Sequence, residues 1–222
     1  MKVQRQDILD AALALLDEVG LDGLTMRRLA QALAIQAPSL YWHFPNKQAL
    51  LDAMADAILA GITLPADPAA GWEDRLRTGA GELRRALKAR RDGARVFAGT
   101  FPVLDHVLRL SDAIVGTLRQ AGAEETEAVR ASFTLLYFVL GFTIEEQAAE
   151  EQAAEEQASS PPDGGTAGLP RLPQRLTAAQ VARYPHAASA VAIMSTDDAE
   201  ARFRFGLDLL VGGLARRLAP GS

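Results

Sequence analysis

The chain has 222 residues, 49% of them hydrophobic, with 28 acids against 23 bases and no cysteine. That is enough apolar material for one compact unit, or a small domain beside a larger one, and it excludes disulfides, a thiolate nucleophile and cysteine-held metals. A net charge of −5 also excludes a uniformly basic nucleic-acid binder, so any phosphate-binding surface has to be local.

In chain order, the opening MKVQRQDILDAALALL is broken by charge and has a helical period, so it is not a signal peptide. Ile8, Ala12, Leu15, Leu16 and Val19 form one apolar stripe, which predicts a first helix from about Gln6 to Val19, stopped at Gly20. Thr25 is a good N-cap for a second helix, with Leu29, Ala30 and Leu33 on one face. Ala34-Ile35 makes a turn, and a third helix opens near Pro38, where a proline in the first turn loses no hydrogen bond. Asn46 caps the next helix. From Thr25 to Leu50 there is no acid, while Arg27, Arg28 and Lys47 are present. A positive window in an acidic chain, arranged helix–turn–helix, predicts a head that reads double-stranded DNA through Gln36 to His43. On that short reader, Leu40 and Trp42 are read as the side that packs, with Trp42 kept among the DNA-contact candidates. Gln36, Ser39, Tyr41 and His43 lie off that side.

A connecting helix is expected from Lys47 to about Ile62, ended by Leu64-Pro-Ala-Asp-Pro. Trp72 to Arg91 reads as a long helix ended by Asp92-Gly93, followed by helices at Val103–Gln120 and Glu124–Gln147. The second of these is apolar on every side between Phe133 and Ile144, which predicts the central buried helix of its domain. That run is also too short to cross a bilayer. Next, EEQAA twice and EEQAS form a low-complexity repeat. A five-residue step turns a helix by about 500°, so successive repeats share no face. The repeat reads as a solvated helix extension running into the loop SSPPDGGTAGLPRLP. Glu145 to Gln157 holds six of the acids and no base; without them acids and bases nearly balance, at 22 to 23. Short helices at Leu176–Tyr184 and His186–Met194 precede a long one at Asp198–Leu218. No strand-like alternation occurs anywhere, so the fold class is all-α.

Enzyme signals are absent. His43, His106 and His186 stand far apart and outside any metal-spaced pair. No GxSxG, phosphate loop or GxGxxG occurs. The chain is expected to need no catalytic residue, cofactor or metal.

The combination of GLDGLTMRRLAQALAI with PSLYWHFPNKQALLDA closely resembles the TetR family of bacterial transcriptional repressors. RRALKARRDGARVFAGTFP, LGFTIEEQ and IMSTDDAEARFRFGLDLLVGG extend the resemblance, in matching order, over most of the chain. It implies a cytoplasmic homodimer with no membrane partner, in which residues 1–45 bind one half of a palindromic operator. Residues 46–222 would bind a small-molecule effector and dimerise, with an acidic repeat and flexible loop at about 145–173. The family's operator-contacting positions are occupied here by Arg27, Ala37, Pro38, Ser39, Tyr41, His43 and Lys47, beside Thr25, Gln36 and Trp42. Arg27 suits a bidentate contact to guanine, and Tyr41 and Lys47 suit phosphate contacts. Ala37 stands where a glutamine would read adenine, and Ala34 replaces the usual turn glycine.

For the effector site, the resemblance points to Thr63, Gly79, Leu83, Phe97, Thr100, Phe101, Phe133, Thr134, Tyr137, Phe138 and Glu145. In members that take a magnesium-chelated drug, a drug-binding histidine is matched here by Thr63 and a metal-ligating histidine by Phe97. An asparagine and a phenylalanine that hold the drug are matched by Gly79 and Leu83; Thr100 and Glu145 persist. The effector is therefore expected to bind without a metal ion. The apolar surplus of the Glu124–Gln147 and Asp198–Leu218 helices predicts a four-helix dimer interface carrying Leu207, Leu210, Val211 and Leu214. A head joined to a ligand-free dimerisation bundle, and an enzyme acting inside a bundle cavity, are the alternative readings.

Overall fold

The computed structural model describes residues 3–63, 70–100, 103–159 and 176–219, and among them every regular element is a helix. The proline break at 64–68, Phe101 and most of the loop after the repeat lie outside the described residues. α1 (Arg5–Gly23) buries Ile8, Leu9, Ala12, Leu13, Leu15 and Leu16. Gly20 bends it at φ +70°, ψ 175°, a left-handed conformation that a side chain resists. α2 (Met26–Ala32) is capped by Thr25, whose Oγ1 accepts the Arg28 N–H at 3.2 Å. α3 (Ala37–Tyr41) starts with proline in its first turn and buries Leu40. Between them Ala34 takes φ +51°. α4 (Lys47–Ile58) is capped by Asn46, Oδ1 accepting the Ala49 N–H at 2.8 Å.

α5 (Trp72–Lys88), α6 (Gly93–Ala98) and α7 (Asp105–Gln120) follow, then α8 (Glu125–Ser159), α9 (Ala178–Arg183), α10 (Pro185–Met194) and α11 (Ala199–Leu218). Two compact units result. One takes in residues 1–144 and 207–222, the other 145–206. In the first, α1 packs on α2 and α4, α2 on α3, α4 on α6 and α7, and α5 on α6 and α7. Its core includes Phe44, Met54, Leu59, Leu87, Val96 and Leu118, each essentially inaccessible. In the second, α9 packs against α10.

Three expectations change. α4 ends at Ile58, four residues early, because Ala60-Gly61 favours the turn that follows. A helix the sequence did not announce, α6, fills 93–98; it is too short to display a period. α8 is not buried all round. Ala128, Ala131, Leu135, Val139 and Thr143 face inward, but Val129, Phe133 and Tyr137 remain 39%, 42% and 62% exposed. Its stretch Glu125–Glu155 is also long and apolar enough, by length and composition, to cross a membrane, because the alanine-rich continuation lengthens the run. The core helix of a non-membrane protein meets the same measure, and one face of α8 is covered by its own chain.

Candidate nucleic-acid interface and ligand cavity

α3 is held by Leu40 and Phe44, both 0% exposed, and everything else on it faces out. Gln36, Ala37, Pro38 and Ser39 are exposed, Tyr41 is 46% exposed and His43 is half-buried. Trp42, read from sequence as part of the packing side, is 90% exposed. A helix of five residues needs only one anchor per turn, and Leu40 with Phe44 supplies it. Arg27 is exposed and makes no hydrogen bond or ion pair with the described residues, so its five donors are free. Thr25 is exposed and spends its acceptor on the cap of α2. Lys47, at the start of α4, is half-buried, with Nζ 3.4 Å from the Leu21 carbonyl. Arg5, absent from the sequence-based candidates, lies over the Phe44 ring at 4.5 Å. Its exposed cation stands beside the reader helix, and a lone charge in the first turn of α1 gave no signal for that.

The turn between α5 and α6 grips α1. Asp92 is 7% exposed and holds φ +55°; its carboxylate accepts the Leu21 N–H at 2.7 Å and Arg95 Nη1 at 2.8 Å. Arg95 also reaches Asp22 at 3.2 Å, and Arg90 meets Asp17 at 2.6 Å. The hydrogen bond that Arg95 donates to Asp92 raises its guanidinium above the ordinary pKa, against the opposing effect of burial. Asp56 on α4 performs a second linkage. Its Oδ1 accepts the backbone N–H groups of His106 and Val107 at 2.9 and 3.1 Å, and Oδ2 pairs with His106 Nδ1 at 2.7 Å. α7 is thus capped from another helix, its own N-cap position being Leu104, which has no side-chain acceptor.

Between α4, α5, α6, α7 and α8 lies a cavity of about 430 Å³. Gly79, Leu83, Phe97, Thr100, Phe133 and Tyr137 line it as expected, joined by residues the sequence did not single out, among them Leu59, Val107, Leu110, Ser111 and Ser132. The walls are almost wholly apolar. Thr100 is buried and donates its hydroxyl proton to the Phe97 carbonyl at 2.8 Å, so toward the cavity it can only accept. The rings of Phe133 and Tyr137 lie 5.9 Å apart, tilted by 49°. Among the described residues no group of three His, Cys, Asp or Glu side chains comes together.

Other expected effector contacts fall elsewhere. Thr63 is exposed, beyond the early end of α4, and Leu59 takes the wall position. Thr134 is exposed and returns its hydroxyl to the Arg130 carbonyl at 2.8 Å. Phe138 is half-buried and pairs with Phe142, ring centroids 6.0 Å apart. Glu145 is exposed and is not part of the lining. The reason is helical phase: residues 133, 136, 137 and 140 share the cavity face of α8, whereas 134, 138, 141 and 145 share another. Helical phase also corrects the dimer residues. Leu207 and Val211 are 4% and 0% exposed in the single chain, where they form core. Leu210 and Leu214 are half-buried, and Phe205 and Leu209 are the outward apolar residues of α11, at 69% and 59%.

Two family descriptions match the chain: "Bacterial regulatory proteins, tetR family" over residues 8–54 and "Tetracyclin repressor-like, C-terminal domain" over residues 64–218. The Escherichia coli tetracycline repressor protein class A from transposon 1721 is 41% identical over 97% of this chain and 92% of its own. The Streptomyces coelicolor TetR family protein ActR, solved in complex with actinorhodin, superposes with a TM-score of 0.83 at 26% identity, covering 99% of this chain and 100% of ActR. BioQ, solved with its natural double-stranded DNA operator, gives a TM-score of 0.67 at 30% identity over 96% and 99% of the two chains. The chain belongs to the TetR family of transcriptional repressors, regulators that bind DNA and are not enzymes.

Proposed function

We propose that this protein is a cytoplasmic homodimeric repressor whose residues 1–45 read one half-site of a palindromic operator. Residues 46–222 bind the effector and dimerise. Gln36, Ala37, Pro38, Ser39, Tyr41, Trp42 and His43 enter the major groove. Arg27 reaches a guanine edge, and Lys47 with Tyr41 fixes the register on phosphate. The effector is a flat, largely apolar or aromatic molecule that binds without a metal ion. Phe97 stands where the metal-taking members have an imidazole, and among the described residues no group of three His, Cys, Asp or Glu side chains comes together.

The observation that carries this reading is that one short helix serves both sites. α6 contributes Phe97 and Ala98 to the cavity, with Thr100 just beyond it, and two residues before Phe97 its Arg95, with Asp92, holds the head at Leu21 and Asp22. A molecule that displaces Phe97 acts on that grip and, through Leu59, on the connecting helix α4. To release an operator the effector need only prefer the released arrangement; a ~100-fold preference supplies about 2.7 kcal/mol.

Operator release measured in EDTA tests the metal-free reading. Aromatic compounds that displace a fluorescent operator fragment equally with and without magnesium support it. Strict dependence on magnesium, with tetracycline as the best inducer, overturns it.

A further inference from the structure

Beside the apolar cavity lies a second space of about 260 Å³, between α5 and α7. Leu76 and Ile114 line both, so the two spaces abut. Their chemistry differs. Arg75, Thr117 and Gln120 bring polar atoms to the smaller one, and the space beside Gly116 is open, a Cβ there meeting nothing within 4 Å.

Arg75 is unusual among the arginines of this helix. Arg77, two residues on, is ion-paired with Glu73, Asp74 and Asp208. Arg75 has no ion pair with the described residues; its Nη2 donates to Gln120 Oε1 at 3.0 Å, and its Nε is buried without any acceptor. Arg75 as a whole is only half-buried, and a cation with no ion pair among the described residues, on the wall of an open space, can take an anion there. Thr117 has already given its hydroxyl proton to the Ala113 carbonyl at 2.8 Å. The remaining donors on this wall are the Arg75 guanidinium edge and the Gln120 amide, a pair that suits the two oxygens of a carboxylate. Asp112 on the same wall is exposed and repels an anion, which limits the affinity without removing the fork.

We propose that this space is an acid-binding annex of the effector site and that the effector is an aromatic carboxylic acid. Its ring system occupies the apolar cavity, and its carboxylate meets Arg75 and Gln120. The proposal rests on the effector reading of the cavity given above and adds the charge of the ligand to it.

Anthracene-2-carboxylate and its neutral twin anthracene-2-carboxamide separate the two claims. Calorimetric titration of the full-length dimer with each should give a tighter Kd for the acid by about tenfold, the usual advantage of a charge-assisted over a neutral hydrogen bond. Arg75→Gln should erase that preference and leave the amide unchanged. Gly116→Val, which fills the annex without touching the cation, should weaken the acid selectively, so the outcome does not hang on one variant. Equal affinity for acid and amide in the wild type, or an acid preference that survives both substitutions, overturns the annex while the cavity reading stands. If neither compound binds, the cavity reading fails and the annex falls with it.

Discussion

Among the described residues two non-glycines sit at positive φ, Ala34 at +51° and Asp92 at +55°, and they should respond in opposite ways to glycine. Ala34 is exposed in the turn before the reader helix and makes no side-chain bond. Ala34→Gly relieves left-handed strain against a partly offsetting entropy cost, and should raise stability by about 0.5–1 kcal/mol, or roughly 1–4 °C in Tm by calorimetry. At Asp92 the carboxylate holds Leu21 and Arg95, so Asp92→Gly should destabilise by about 1–3 kcal/mol despite the easier backbone, because the part-buried Leu21 N–H loses its acceptor. Trp42, 90% exposed, should be replaceable by alanine with a stability change within about 0.5 kcal/mol. Operator affinity measured by anisotropy should nevertheless fall. Arg27→Ala should relax preference at one base pair per half-site by about 1–3 kcal/mol.

Among the elements, the capping carboxylate of Asp56 makes the sharpest case. Asp56→Ala removes the acceptor for two N–H groups at the start of α7 and should cost about 1–2 kcal/mol in denaturant titrations, with protection of the His106 and Val107 amides lost in hydrogen exchange. Elements of this kind divide what the sequence could reveal from what it could not. Thr25 and Asn46 announced their helices because a cap is local chemistry; Gly20, expected to end the first helix, interrupts α1, which resumes to Gly23. Asp56 gave no such signal, because its partner lies 50 residues on. The cavity face of α8 was hidden by the run from Phe133 to Ile144, which is apolar in every direction and so carries no phase. Phe133 and Tyr137 do line the cavity, yet Thr134 and Phe138, named with them, do not. Trp42 misled because a helix of five residues can bury either of two nearby apolar residues, and only the fold around Leu40 decides. The helical character of the Glu-rich repeat was legible, and α8 runs on through it to Ser159. Because the repeat offers no apolar stripe, replacing residues 150–168 by a short Gly-Ser linker should leave operator binding intact in a mobility-shift assay.

For the whole molecule, the outward apolar residues set the expectation. Val129 on α8 and Leu209 on α11 are exposed in the single chain and line no cavity, and Arg217 of α11 pairs with Glu127 of α8 at 2.8 Å. A second subunit covering these helices would bury that surface and complete a four-helix interface. Leu209→Glu should give a folded monomer in sedimentation velocity, whereas Val211→Glu, a charge placed in the chain's own core, should unfold the protein. Dimerisation is what gives the head its function, because two reader helices held about 34 Å apart match successive major grooves on one side of the duplex. The central claim is tested most directly by footprinting the purified protein on the DNA flanking its own gene. The account predicts one protected palindrome, with half-sites centred about one helical turn apart, lost in Leu209→Glu and weakened, with relaxed preference at one base pair per half-site, in Arg27→Ala. Protection of scattered, non-palindromic sequence that survives both substitutions would contradict it.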